Sequence, residues 1–229
     1  MTKEMKITLT FQKQVYAVLF AVILSLVRGV VYSDEIGIAL EPPLAVLALT
    51  FCADTYTQEI ASRRSEVWRL CPAKRKIHTI YKRLAVQELF LLSVAAFGYG
   101  LFLFFQNPVT GKMTEDVLIM ANVPESEIYK FLVYLAALAV TIFFWGILSN
   151  LLSCLFRNMW AGIGACLILW LTTNSAMGDR ILGVWNLFSY TFRELGDSSD
   201  FSWLCGKMVC ICIGITAMAV MPEIIEKRG

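Results

Sequence analysis

The sequence predicts an all-α, polytopic integral membrane protein with six transmembrane helices and both termini in the cytoplasm. Three observations lead there: the composition, the blocks in which apolar residues fall, and the alternation of charge between those blocks. The hydrophobic fraction is 58% and the charged fraction 17%, against about 45–50% and about 25% in soluble domains. The net charge of +2 is small, and the basic residues cluster between two apolar blocks, so nothing points to a nucleic acid partner.

The apolar blocks give spans at about 15–33, 42–60, 84–105, 128–149, 159–174 and 203–221, in one transmembrane domain over 1–229. A bilayer core of about 30 Å takes roughly 20 helical residues. The first, third, fourth and sixth blocks reach or approach that length. The second carries Asp54, Thr55 and Thr57, and the fifth is short. The first block resembles a signal peptide in length. No small-residue cleavage pattern follows it and Arg28 interrupts its far end, so an uncleaved span is expected.

Charge then orients the spans. Lys3, Lys6 and Lys13 precede the first. The first loop holds Asp34, Glu35 and Glu41 and no base. The second holds Arg63, Arg64, Arg69, Lys74, Arg75, Lys76, Lys82 and Arg83. The third is mostly acidic, the short fourth carries Arg157, and the tail ends in Lys227 and Arg228. Base-rich and base-poor loops alternate, which places the N-terminus, the second and fourth loops and the tail inside. Such a pattern closes only with an even number of spans.

Two loops are unusual. In the second, Val67, Trp68, Leu70 and Cys71 are apolar among charges, and Pro72 stops a helix. A short amphipathic cytoplasmic helix is expected from about Ser62 to Cys71, or else a basic segment held against anionic headgroups. In the fifth loop Ile181, Val184, Trp185, Phe188 and Phe192 fall at helical spacing. Short outer helices are expected there, re-entrant or lying on the surface, with Trp185, Phe188 and Phe192 forming an outer gate region.

Catalytic patterns are missing. His78 is the one histidine, and no H-E-x-x-H, G-x-S-x-G or Walker A string occurs. The seven cysteines form no C-x-x-C pair and read as packing residues. No metal site, no cofactor in this chain and no enzyme activity are expected. Intramembrane charge is functional by default, so Asp54 and Glu88 are candidates. Both lie near the inner interface, within reach of water or a basic partner, which favours a structural role for each, and neither spacing suggests a proton relay, which would need several acids or histidines lining one path. Arg28, Lys130 and Lys207 are expected to snorkel to the outer interface.

The second span and the stretch QEIASRRSEVWRLCPAKRKIHTIYKRL resemble permease subunits of the type-2 exporter class of ABC transporters. In that class an acidic residue ends the second span, a coupling helix follows, then a leucine and proline with a base soon after. Glu59 and Glu66 match the acidic positions, Leu70 and Pro72 the leucine–proline pair, and Arg75 or Lys76 the base. The family's glycine–threonine step is missing, with Glu66–Val67 nearby instead. The resemblance extends to the six-span organisation, to an N-terminal interfacial helix over Met1 to Gln14, although Ile7, Leu9 and Phe11 alternate there as in a strand, and to outer helices between spans five and six. It implies a coupling helix with Val67, Trp68 and Leu70 as apolar knobs and Arg63, Arg64 and Arg69 as orienting charges.

The resemblance further implies separate ATP-binding cassette subunits that hold ATP and Mg, a second permease copy or related permease, and lipid as surroundings. It implies export of a substrate such as a peptide, a drug or a lipid-like molecule across a bacterial plasma membrane. The alternative is the substrate-binding membrane subunit of an energy-coupling-factor importer, which has similar length and span number but docks through small-residue helix faces.

Overall fold

The computed structural model describes residues 7–31, 35–55, 70–108, 127–182 and 202–228. Seven helices are numbered here in chain order: α1 Phe11–Val27, α2 Glu35–Cys52, α3 Ala73–Gln106, α4 Glu127–Phe156, α5 Met159–Thr173, α6 Ala176–Leu182 and α7 Ser202–Arg228. No strand occurs among the described residues. Four helices are long and apolar enough to cross a membrane: α2, α3, α4 and α7. α1 and α5 are apolar but have only 17 and 15 residues, about 26 and 22 Å at helical rise.

The sequence explains the helix ends. Pro72 precedes α3 in an extended conformation, and its missing N–H removes no helical bond there. Asn107 ends α3 in the left-handed region, a conformation asparagine tolerates. Arg157, also left-handed at φ 54°, ends α4. The next residue, Asn158, starts α5 by accepting the Trp160 backbone N–H at 2.9 Å. Two residues therefore turn α4 back into α5.

Helix α4 is the centre of the bundle. It packs against α2, α7, α5 and α3, while α1 lies mainly along α3. Small residues permit the close approaches, as is usual between helices in lipid. A Cβ at Gly214 would meet the Phe143 ring at 2.6 Å, and one at Gly162 would meet the backbone of Ser153. Around this centre, Leu49, Leu91, Ile142, Phe144 and Trp145 are buried together. The outward faces are apolar too: Tyr16 and Leu19 on α1, Phe97 and Phe104 on α3, Ile168 on α5 and Ile215 on α7 are exposed. Apolar residues on both the inside and the outside are what a helix bundle in hydrocarbon requires.

The helices differ from the expected spans in informative ways. Helix α3 begins eleven residues before the expected third span at 84. Its extra turns are not a free basic loop, because Ile80 and Leu84 pack with Met221 and Ile225 of α7 and with Cys154 of α4. Helix α2 begins at Glu35 rather than 42, so Glu41 is inside a helix and fully buried. That corrects its expected place in the first loop. Of the expected outer helices, α6 follows α5 directly, while Trp185, Phe188 and Phe192 lie outside the described residues. The Ser62–Cys71 coupling helix and the first residues of the Met1–Gln14 helix lie mostly outside them as well.

One backbone break has a visible repair. Pro222 sits inside α7, and proline cannot donate to the carbonyl four residues before it. That carbonyl is Met218, and the Tyr81 hydroxyl donates to it at 2.6 Å. Tyr81→Phe is therefore expected to destabilise the bundle by about 1–2 kcal/mol, the effect of leaving a shielded carbonyl unsatisfied. Placed on a Pro222→Ala background, which restores the backbone donor, the same change is expected to be nearly neutral. Unfolding titrations of the four proteins in detergent check this, and equal losses on both backgrounds would contradict it.

Candidate functional site

Polar side chains accumulate on α4 where an apolar helix centre would suffice. Thr141, Ser149, Asn150 and Ser153 are all buried. The first three meet a charge or a backbone carbonyl of α2, while Ser153 Oγ faces Gly162 of α5 with no hydrogen-bond partner among the described residues.

The innermost group is a buried ion pair. Glu41 of α2 is 0% exposed and Lys207 of α7 is 4% exposed. Lys207 Nζ pairs with Glu41 Oε1. The Thr141 hydroxyl donates to the same oxygen at 2.5 Å and accepts from Lys207 at 2.6 Å. Three helices meet in this triangle. Glu41 is followed by Pro42 and Pro43, which cannot donate to the carbonyls of Ile38 and Ala39, so α2 loses backbone bonds beside its charge. Among the described residues, Glu41 Oε2 is buried with no hydrogen-bond partner. Lys207 was expected to snorkel to the outer interface. The structure turns it inward, because Glu41 offers a charge partner nearer than water.

A second polar group closes the other end of α2. The helix is interrupted at Ala53, and the carbonyls released there find side-chain donors. Ser149 donates to the Leu49 carbonyl at 2.5 Å, Gln87 to that of Phe51 at 2.8 Å and Asn150 to that of Cys52 at 2.9 Å. Asp54 follows the break. Lys13 of α1 pairs with it at 2.5 Å, and Gln87 of α3 reaches it at 3.4 Å. Thr55 completes the group by donating to Gln87 Oε1 at 3.0 Å. Of the water or basic partner expected for Asp54, the structure shows a base, and it comes from α1.

Glu88 lies between the two groups. It was expected beside Lys82 and Arg83 near the inner interface. Its Oε1 instead points at α4, 3.3 Å from where a Cβ on Gly146 would sit, beside the Cys52 thiol. Among the described residues this oxygen is buried without a hydrogen-bond partner. A side chain at 146 would crowd both this oxygen and the Cys52 thiol.

Of the residues expected to meet an ATPase, Leu70 is 86% exposed, immediately before the Cys71–Pro72 entry to α3. Glu59, Arg63, Arg64, Glu66, Val67, Trp68 and Arg69 lie outside the described residues. The residues that sequence reasoning missed are Glu41, Lys207 and Thr141. A signal was present: a lone acid and a lone base, each near the start of an apolar block.

No protein-family model, no curated protein and no solved structure matches this chain.

Proposed function

We propose that the chain is the membrane-spanning subunit of an ATP-driven ABC exporter, worked by a separate ATPase subunit. In this reading it crosses the plasma membrane of a bacterium six times with both ends in the cytoplasm. The short α1 and α5 cross by local thinning of the bilayer and with help from flanking residues.

The observation that carries the reading is the length of α3. Its 34 residues extend about 51 Å, roughly 20 Å more than a hydrocarbon core. The surplus lies at the Ala73 end, where Lys74, Arg75 and Lys76 follow the exposed Leu70. A partner closing on that tip would push on one continuous helix. The push would pass to α7 and α4 through Ile80, Leu84 and the Tyr81–Met218 bond. This is the mechanical arrangement that a coupling segment needs. The partner would bind ATP and Mg, and a second permease would complete the export path.

The test is a reconstituted complex with wild-type chain, Trp68→Ala or Arg69→Glu. An aromatic anchor in a docking groove contributes about 2 kcal/mol or more. Both variants are expected to insert normally and to lose most transport while the ATPase still turns over. Unchanged coupling would contradict the reading. A chain that purifies without an ATPase and holds a small ligand tightly would favour the energy-coupling-factor alternative.

A further inference from the structure

One exposed stripe runs the length of α3 and changes its chemistry along the way. Ala85, Leu89, Phe97 and Phe104 are exposed, and toward the helix start so are Lys82, His78 and Arg75. Steps of three, four, seven or eight residues keep all of them on one face. From Ala85 to Phe104 no exposed residue is charged. Even the Ser93 hydroxyl there is turned back onto the helix, donating to the Phe90 carbonyl at 2.6 Å. Before Ala85 the same face is basic.

The uncharged part is about 29 Å long, the thickness of a hydrocarbon core. The edge of the core therefore falls between Lys82 and Ala85. Lys82 stands about 4.5 Å beyond Ala85 and His78 about 10 Å, and the polar layer of a bilayer adds about 5–7 Å on each side. A second marker agrees. Ile80 and Leu84 pack with Cys154 of α4, and just past Cys154 the chain turns and presents Trp160, 72% exposed. An exposed tryptophan suits the headgroup level.

The basic stripe is not the side of α3 that meets protein. Ile77, Ile80, Tyr81 and Leu84 pack on α7 from the opposite side. No Asp or Glu occurs between Ala73 and Ala85, and the two buried ion pairs use other bases. An ammonium at phosphate level, in line with lipid-facing residues, meets lipid phosphate before anything else. A zwitterionic headgroup would bring its own cation against that ammonium, and an anionic headgroup would not.

We propose that this face of α3 seats an anionic phospholipid. The phosphate lies against Lys82, with His78 one turn on as a second donor. The acyl chains lie along Leu89 and Phe97, and Arg75 adds positive field beyond the headgroup. A lipid held there fixes the height of α3 in the bilayer, so that its surplus turns project from the surface. The seat needs only this chain and a bilayer, so it stands or falls separately from the exporter reading.

The test titrates the purified full chain in detergent with phosphatidylglycerol or phosphatidylcholine and counts bound lipid by native mass spectrometry. Phosphatidylglycerol is expected to bind about tenfold more tightly or better. One base at a membrane surface is worth about fivefold in affinity, so Lys82→Gln is expected to lose about fivefold and Lys82→Glu about 25-fold. Arg28 is an exposed base at the other end of α3, where its carbonyl accepts from Gln106. Arg28→Gln is expected to leave the affinity unchanged. Excess glycerol 3-phosphate, which lacks acyl chains, is expected not to displace the lipid. Equal binding of the two lipids would overturn the proposal, as would wild-type affinity in Lys82→Glu. An equal loss in Arg28→Gln would reduce the effect to net charge, and displacement by glycerol 3-phosphate would reduce the seat to a plain anion site. Either result overturns it. A chain that binds no phosphatidylglycerol would leave these bases to an acidic protein partner and would overturn it too.

Discussion

Lys207→Met destabilises the bundle by about 3–5 kcal/mol, because it strands a buried Glu41 without its counter-charge. The methionine fills the space of the lysine stem, so lost volume contributes little. What is lost is the pairing of a group that is 0% exposed and already has one unsatisfied oxygen. Glu41→Gln on the same background should recover most of the loss, since the neutral amide can still accept from Thr141. This distinction separates an energetic ion pair from mere packing. If methionine damaged the interface by its shape, the second change would not repair it. Unfolding of the three proteins in detergent, followed by helicity or tryptophan emission, measures both steps. A Lys207→Met protein as stable as wild type would mean that Glu41 and Lys207 do not meet.

Gly162→Ala is expected to be nearly as damaging, by a different route. A Cβ there would lie 2.1 Å from Ser153 Oγ and 2.7 Å from the Ser153 backbone nitrogen. The hydroxyl can rotate away, but the nitrogen belongs to α4 and cannot. Helix α5 must move off α4, against a two-residue turn that leaves little slack. Overpacking of this kind costs about 3 kcal/mol, the upper part of the usual range. Gly164→Ala is the matched control, because a Cβ there meets nothing within 4 Å, and a helical alanine is itself slightly favoured over glycine. Equal stability of the two variants would show that α5 does not pack as described. Ser153→Ala should not rescue Gly162→Ala, since the backbone clash persists.

Much of the helical framework was legible in the sequence, and for a plain reason. Hydrocarbon demands long apolar runs with internally satisfied backbones, and such runs are visible without any knowledge of tertiary contacts. A short fourth loop holding Arg157 was legible too, but not that the helix before it runs to Phe156, seven residues past the expected end at 149. The start of α3 was not. Pro72 reads as a stop, whereas here it stands just ahead of a helix whose first turn needs no N–H from it. The charged turns after it also read as a loop. They are helical because Ile77, Ile80, Tyr81 and Leu84 give them an apolar stripe for α7 to cover.

The polar centre was hidden for a different reason. Glu41 beside two prolines looks like a loop residue by every local rule. Lys207 near the start of an apolar block looks like a snorkelling base. Each local reading was reasonable, and the partner that overrides it lies 166 residues away. Likewise Glu88 looked close to Lys82 and Arg83 in sequence, but on the helix it faces α4 instead. Asp54 was read more nearly as found, since any charge at that depth needs a base. Which base could not be told, because Lys13 comes from another helix, 41 residues away.

The account rests on this polar centre being sealed within the bilayer from the first turns of α2. Ala39 is 1% exposed and lies two residues before Glu41. Gly29, near the same end of the bundle, has open space around its Cβ position. In a background without native cysteines, Ala39→Cys and Gly29→Cys can be treated in intact vesicles with a membrane-impermeant maleimide. The account predicts rapid labelling at 29 and none at 39 until the protein is denatured. Equal labelling at both positions would put residues 35–41 in a water-exposed loop, and the buried Glu41–Lys207 pair could not then exist.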